Sequence, residues 1–292
     1  MRILLAYIHY PICSGRYVKD ALMRLGHDVK SCGYSTRDQI WGMKVSGRWS
    51  HHPDAPLAEA IPSWKPDLII ILESQWSFHH PYYADSPHVI YGMDNHVRDY
   101  TQAGIEHYFL AHNEPSIMDM TQDNTTWLPC GYDPVAFTPS PIPIAERTFD
   151  VSLIGMMYEE RVEIAERLIA EGFKTRFLTG LLYDEYAAVY HQTRIALNVS
   201  IKGDLNQRIF EGAALGCVVL SNPCADLKAM TANSVFQYES HDDIVTFVEH
   251  YLKEPFAADF EWVTDHTWDN RAQVIVEWYR QHYPSSKTKR KV

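Results

Sequence analysis

The chain predicts an α/β protein built as two parallel-sheet domains in series, and three features point there. Short apolar runs alternate with amphipathic stretches through both halves. A proline-rich stretch interrupts that alternation near the middle. The length, 292 residues, exceeds one ordinary domain and falls short of three.

In the first half, Ile3–Ile8 reads as a strand, Tyr17–Leu25 as a helix and Asp28–Ser31 as a strand, which is βαβ grammar. Leu68–Leu72 has no polar alternation, as suits a parallel strand covered on both faces. Further strands are predicted at His88–Tyr91, His107–Leu110 and Thr126–Leu128. Between the first two groups, Ser35–Pro66 is rich in Trp, His, Gly and Pro and reads as a long loop with a short helix near Leu57–Ile61. The stretch from Phe137 to Thr148 carries three prolines at alternating spacing, which stiffen the backbone into a linker.

The second half restarts the grammar. Strands are predicted at Phe149–Ile154, Thr175–Leu178, Ile195–Asn198, Cys217–Leu220 and Val235–Tyr238. Helices are predicted at Glu159–Glu171, Asp184–His191, Asn206–Leu215, His241–Lys253 and His266–His282. The expectation is therefore a Rossmann-like domain over residues 1–138, a linker over 139–148 and a second Rossmann-like domain over 149–264. The last helix, within 265–283, crosses back to brace the first domain, and a basic tail occupies 284–292.

Composition excludes several classes. No run approaches the roughly 20 apolar residues that span a bilayer. The opening MRILLAYIHY stops at a polar His-Tyr-Pro and reads as a buried strand, so the cytoplasm is the expected location, host cytoplasm if the chain is phage-encoded. Five scattered cysteines without a C-x-x-C pair read as reduced core residues. A net charge of −11 argues against a protein that coats nucleic acid, although Lys287, Lys289, Arg290 and Lys291 could touch a polyanion.

The densest chemical signal is Asn206–Gly216, NQRIFEGAALG. It forms a helix between two strands, ended by Gly216 in a left-handed turn. Ligands of open α/β sheets bind beyond the carboxyl ends of strands, next to helix N-termini. Arg208 and Glu211, three residues apart, share one helix face there. A nucleotide sugar needs that combination, cationic donors for the diphosphate and an acceptor-only carboxylate for the ribose hydroxyls. An exposed intrahelical ion pair explains the same spacing.

The stretch IALNVSIKGDLNQRIFEGAALGCVVLSN resembles the donor-site region of CgeB-like, family 4-like glycosyltransferases, which have the GT-B fold of two Rossmann-like domains facing each other across a cleft. Three further stretches resemble elements of that family: LPCGYDPVAF (Leu128–Phe137), FDVSLIGMMYEER (Phe149–Arg161) and HTWDNRAQVI (His266–Ile275). The resemblance implies a retaining transfer from a nucleoside-diphosphate sugar such as a UDP-sugar. By it Glu211 binds the ribose, Arg208 the diphosphate, Asn206 is a nearby polar group, and Gly155 lets backbone approach the phosphates. Acceptors of such chains include surface material and modified bases in DNA, so nucleic acid is a candidate partner. In one respect the sequence departs from the family: a second Glu expected eight residues before Glu211 is Gly203, beside Asp204. That departure supports an alternative, a non-catalytic nucleotide-sugar-binding protein.

No D-x-D motif occurs, so no metal or other cofactor is expected. The leaving group's charge then falls to Arg208, Lys202, Arg161 and helix N-termini. Asp94, just after a predicted strand, is the candidate general base, with His96 as substitute, although a helix-capping role suits Asp94 equally. His9 and Gly15 are placed on the same rim. The pairs His51-His52 and His79-His80 invite a metal-site reading, disfavoured because adjacent residues of a strand point to opposite faces. Trp41, Trp49, Trp64, Trp76, Phe78, Tyr82 and Tyr83 could stack on a sugar or base or pack a core.

Overall fold

The computed structural model describes residues 1–9, 13–33, 39–40, 43–44, 64–72, 86–95, 105–113, 123–230, 235–256 and 260–284. Two parallel sheets carry the architecture. The first runs β2 (Asp28–Cys32), β1 (Arg2–Ala6), β5 (Leu68–Leu72), β6 (His88–Gly92), β7 (His107–Leu110), β8 (Thr125–Trp127). The second runs β10 (Thr175–Leu178), β9 (Phe149–Ile154), β11 (Thr193–Asn198), β12 (Val218–Ser221), β13 (Val235–Gln237). All neighbours in both sheets pair in parallel.

Each sheet starts in its middle and grows first to one side, then to the other. The chain order reverses between β1 and β5 in the first sheet and between β9 and β11 in the second. Such switch points leave a crevice at the strands' carboxyl ends, because the flanking connections run to opposite faces. The central strands are buried on both sides: Leu68–Leu72 is buried at every position, as its uninterrupted apolar run requires.

Helices α1 (Gly15–Arg24), α2 (Glu159–Ala170), α3 (Tyr183–His191), α4 (Gln207–Ala214), α5 (Ala225–Ala229), α6 (His241–Lys253), α7 (Glu261–Thr264) and α8 (Trp268–His282) flank the sheets. The short α5 and α7 and a two-residue hairpin, β3 (Gln39–Ile40) with β4 (Met43–Lys44), carry no period that a sequence reading can find. The proline-rich linker contains a single 3-10 turn, Ile144–Glu146, where a structureless connection was expected. Most of the long loop, including its expected helix near Leu57–Ile61, lies outside the described residues, as does the basic tail. No helix among the described residues is long and apolar enough to cross a membrane.

One apolar cluster runs through both sheets: Leu5, Ile70 and Tyr91 from the first, Ile209, Phe210 and Val219 from the second, and Trp268 and Ile275 from α8 join it. The outer faces keep separate clusters. Helix α8 lies along α1, and the Arg24 guanidinium ties α1 to both Asp133 (2.9 Å) and Asp269.

Two stretches that the sequence places far apart, 129–133 and 266–271, form one clasp. Tyr132 N–H donates to His266 O (3.0 Å), and Trp268 N–H donates to Tyr132 O (2.9 Å). Arg271, buried, donates to Pro129 O (2.7 Å) and Cys130 O (3.2 Å). A Cβ at Gly131 would lie 2.8 Å from His266 O, so only glycine permits this approach. The linker is anchored in the same manner: buried Arg147 donates to Thr193 O (2.8 Å) and Gly216 O (2.6 Å).

Replacing Arg271 with Leu strands two buried carbonyls at this clasp. The Arg271→Leu variant is expected to lose about 2–4 kcal/mol of stability in urea unfolding; a midpoint equal to wild type contradicts the clasp.

Candidate functional site: a cleft at the switch point of the second sheet

Arg208 sits at the point where the second sheet reverses. Its Nε donates to Ile154 O at the end of β9 (3.1 Å), and its Nη1 to Asn198 Oδ1 at the end of β11 (2.8 Å). The guanidinium therefore bridges the two strands that border the crevice. Asn206 caps α4, its Oδ1 accepting from Arg208 N–H (3.1 Å), which fixes the first turn. A Cβ on Gly155 would lie 2.6 Å from Arg208 Nη2 and 3.3 Å from Arg161 Nη1. Glycine there makes room for two cations, a reason the sequence did not disclose.

Around this point lies a cavity of about 270 Å³. Second-domain residues Gly155, Met156, Leu181, Tyr186, Arg208 and Glu211 line one side, and Cys13, Arg16 and Tyr17 of the first domain line the other. Glu211 lies inside α4 rather than on its exposed face. Burial pushes its carboxyl up to about 7; the Tyr186 hydroxyl, Gln207, Arg208 and Arg16 work against that rise without cancelling it. No ion pair joins Arg208 to Glu211, so the exposed-pair reading fails.

Gln207, one turn before Glu211, donates to it through Nε2, while the Gln207 Oε1 accepts from Ser14 Oγ on α1 (3.0 Å). The carboxyl group is thus linked through one amide to the other domain. The Tyr186 hydroxyl is buried beside Glu211 but makes no well-aligned hydrogen bond.

Arg161, expected at the phosphates, is committed elsewhere. It donates to Val199 O through Nε (3.1 Å) and to Met156 O through Nη1 (2.6 Å), closing the loops after β9 and β11. Burial and the neighbouring Arg208 lower it to about 10, and it contributes its charge from behind the cavity wall. Lys202 is exposed at φ +53, and Gly203 follows at φ +70 with Pro223 O 2.9 Å from any Cβ it might carry. A glutamate at that position would meet both obstacles. Neither residue lines the cavity, nor does Asp204.

The loop ends at Leu205, whose N–H donates to Nδ1 of the buried His112 (3.3 Å). The other ring nitrogen of His112 then carries the proton and donates to Met93 O (2.8 Å), beside Asp94. His112 thereby joins the candidate base's turn to the donor loop. Asp226 accepts from Asn113 N–H (3.1 Å) and lies 3.8 Å from His112 Nδ1, adding a second bond between the domains.

Asp94 is half-buried after β6 and outside the cavity lining. His9 is fully buried and stacked on Tyr7, with ring centroids 3.9 Å apart, so it is a core residue and not a rim residue. Gly15 is buried against the Tyr7 ring, 2.3 Å from a built Cβ; its role is close packing of α1. His96, His51, His52, His79 and His80 lie outside the described residues, as do the loop aromatics except Trp64, which packs beside Lys30. Among the described residues no group of three or more His, Cys, Asp or Glu is placed to hold a metal ion. Sequence reasoning missed Arg16, His112, Tyr186 and Gln207; only Gln207, four residues before Glu211, carried a readable signal.

Paired Rossmann-like domains with a cationic crevice at a switch point define a GT-B protein. Residues 142–277 match a family described as glycosyl transferase-like. No curated protein matches the chain in sequence. Among solved structures, sucrose-phosphate synthase from Thermosynechococcus elongatus is 14% identical over 98% of this chain and 100% of its own, with a TM-score of 0.60. AviGT4, a glycosyltransferase involved in avilamycin A biosynthesis, is 12% identical over 98% of each chain, at 0.65. An alpha-glucosyltransferase in complex with UDP and a 13-mer DNA is 11% identical over 97% of this chain and 95% of its own, at 0.56. At these identities the structures show the fold, and the family match agrees with them on a glycosyltransferase.

Because the folded value of Glu211 lies above its ordinary 4.5, the folded chain holds a proton that the unfolded chain releases, and stability falls as pH rises from about 4.5 towards 7. Wild type is expected to lose on the order of 3 kcal/mol relative to Glu211→Gln between pH 5 and 8. Parallel stability curves for the two proteins contradict the burial of an ionisable group here.

Proposed function

We propose that the chain moves a sugar from a nucleoside-diphosphate donor to an acceptor hydroxyl in this cleft. The observation that carries the reading is the meeting of Arg208 and Glu211 on one cavity at the switch point. The glycosyl transferase-like match over 142–277, which includes both residues, supports it.

In this reading Glu211 ionises on binding and accepts from both ribose hydroxyls, which replace the solvation that burial removed. Arg208 Nη2, facing Gly155, donates to the diphosphate. As the bond from the anomeric carbon to phosphate oxygen breaks, negative charge grows on the diphosphate and is met by guanidinium groups and the N-terminus of α4, without a required metal. The acceptor oxygen bonds to the anomeric carbon, and its proton passes to the departing phosphate or to Asp94. Retention of configuration is what the family resemblance implies, and no nucleophilic side chain lines the cavity on the donor-helix side except Glu211, which the ribose occupies.

The acceptor classes implied by resemblance are a base in DNA and a surface glycan. The fold shared with an alpha-glucosyltransferase that binds DNA supports the first, and the net charge of −11 opposes it.

A thermal-shift panel of UDP-, GDP-, TDP- and ADP-sugars tests the donor site. One donor is expected to stabilise wild type by about 2.7 kcal/mol at a hundredfold excess over Kd, and Glu211→Ala and Arg208→Ala to lose most of that shift. Equal responses from wild type and both variants sink the assignment. Binding without slow donor hydrolysis or transfer to either acceptor class favours the non-catalytic alternative.

A further inference from the structure

The first-domain wall of the cavity holds a cation that the protein itself does not use. Arg16 lies in the first turn of α1 and lines the cavity with Arg208 and Glu211. Its guanidinium carbon lies 4.2 Å from the centroid of the Tyr17 ring and 3.4 Å from that of Tyr183. Tyr183 opens α3 at φ +52, a left-handed conformation that costs a non-glycine residue roughly 1–2 kcal/mol. The strained residue turns its ring face to the arginine across the domain boundary.

Aromatic faces hold a guanidinium by its flat surface and leave the in-plane N–H groups for other acceptors. Among the described residues Arg16 has no ion pair, and its buried Nε has no hydrogen-bond partner. Asp20, one turn further along α1, acts on it only through the field. The three arginines at the cleft differ in this respect. Arg161 spends its donors on Val199 O and Met156 O, and Arg208 spends Nε and Nη1 on Ile154 O and Asn198. Arg16 keeps its fork of donors. A largely buried guanidinium without an acceptor is expensive to maintain unless an anion completes it.

We propose that Arg16 binds the donor's diphosphate from the first domain, so that the leaving group is held between Arg16 on α1 and Arg208 on α4. The inference rests on the donor-site reading above and extends it to a residue outside the family-matched region. It makes the donor a link between domains, next to the Ser14–Gln207 hydrogen bond that joins the same two helices.

Titration calorimetry with UDP, GDP, ADP and TDP on wild type, R16Q, R16K and R208Q tests it. For the diphosphate that wild type binds, R16Q is expected to weaken binding by about tenfold to a hundredfold, with R16K recovering part of the loss. If R16Q binds as wild type does while R208Q does not, the Arg16 contact is overturned and the donor site stands. If R16K is no better than R16Q, Arg16 is a brace for the tyrosine rings and the proposal fails. If wild type binds none of the four, the donor-site reading falls and this inference with it.

Discussion

Placing a carboxyl group inside a helix wall without a partner cation is costly, and the cleft is arranged around that cost at Glu211. Gln207 donates to it, Tyr186 lies beside it, and Arg208 and Arg16 act on it from a distance, yet its carboxyl stays pushed up to about 7. A direct Arg208–Glu211 ion pair would lower that cost and also consume both groups. Instead Arg208 is bonded to the ends of β9 and β11, which holds its free edge and the carboxyl group apart and ready for two different parts of one ligand. Ground-state cost at the site is thereby kept for interactions that form on binding.

Guanidinium groups bonded to main-chain carbonyls hold the surrounding frame. Arg161 closes the loops after β9 and β11, Arg147 fixes the linker to the far end of α4, and Arg271 fastens the start of α8 to the segment that precedes the linker. Loop carbonyls buried between two domains need donors that water cannot supply, and the planar fork of Arg can serve two at once. Both sheets repeat one winding order, so both present their carboxyl edges to a crevice, and His112, Ser14 and Asp226 join the two edges.

Much of the fold was legible because it rests on local periodicity. Leu68–Leu72, His107–Leu110, Phe149–Ile154 and His241–Lys253 have the bounds that their apolar patterns predict. In the cleft, the spacing of Arg208 and Glu211 was legible, since helical geometry fixes which residues share a face. Their separation into a strand-bridging cation and a buried acid was not, because it depends on Ile154 and Asn198, brought in by the sheet. Gly155 and Gly15 looked like glycines for ligand approach; they are needed for Arg208 and for the Tyr7 ring, contacts set by tertiary packing. Arg16 and His112 lie outside any motif and reach the cleft only when the two domains meet.

The central claim is that Glu211 gives up its proton to take the donor's ribose, and proton release measured by calorimetry tests it most directly. A nucleoside-diphosphate sugar has no ionisation of its own near neutrality, so binding enthalpies in buffers of different ionisation heat report protons lost by the protein. Release of a fraction of a proton at pH 6.5, fading towards pH 9 and absent in Glu211→Gln, is the expected result. Donor binding with no proton release at pH 6.5, or with equal release from Glu211→Gln, would contradict the account.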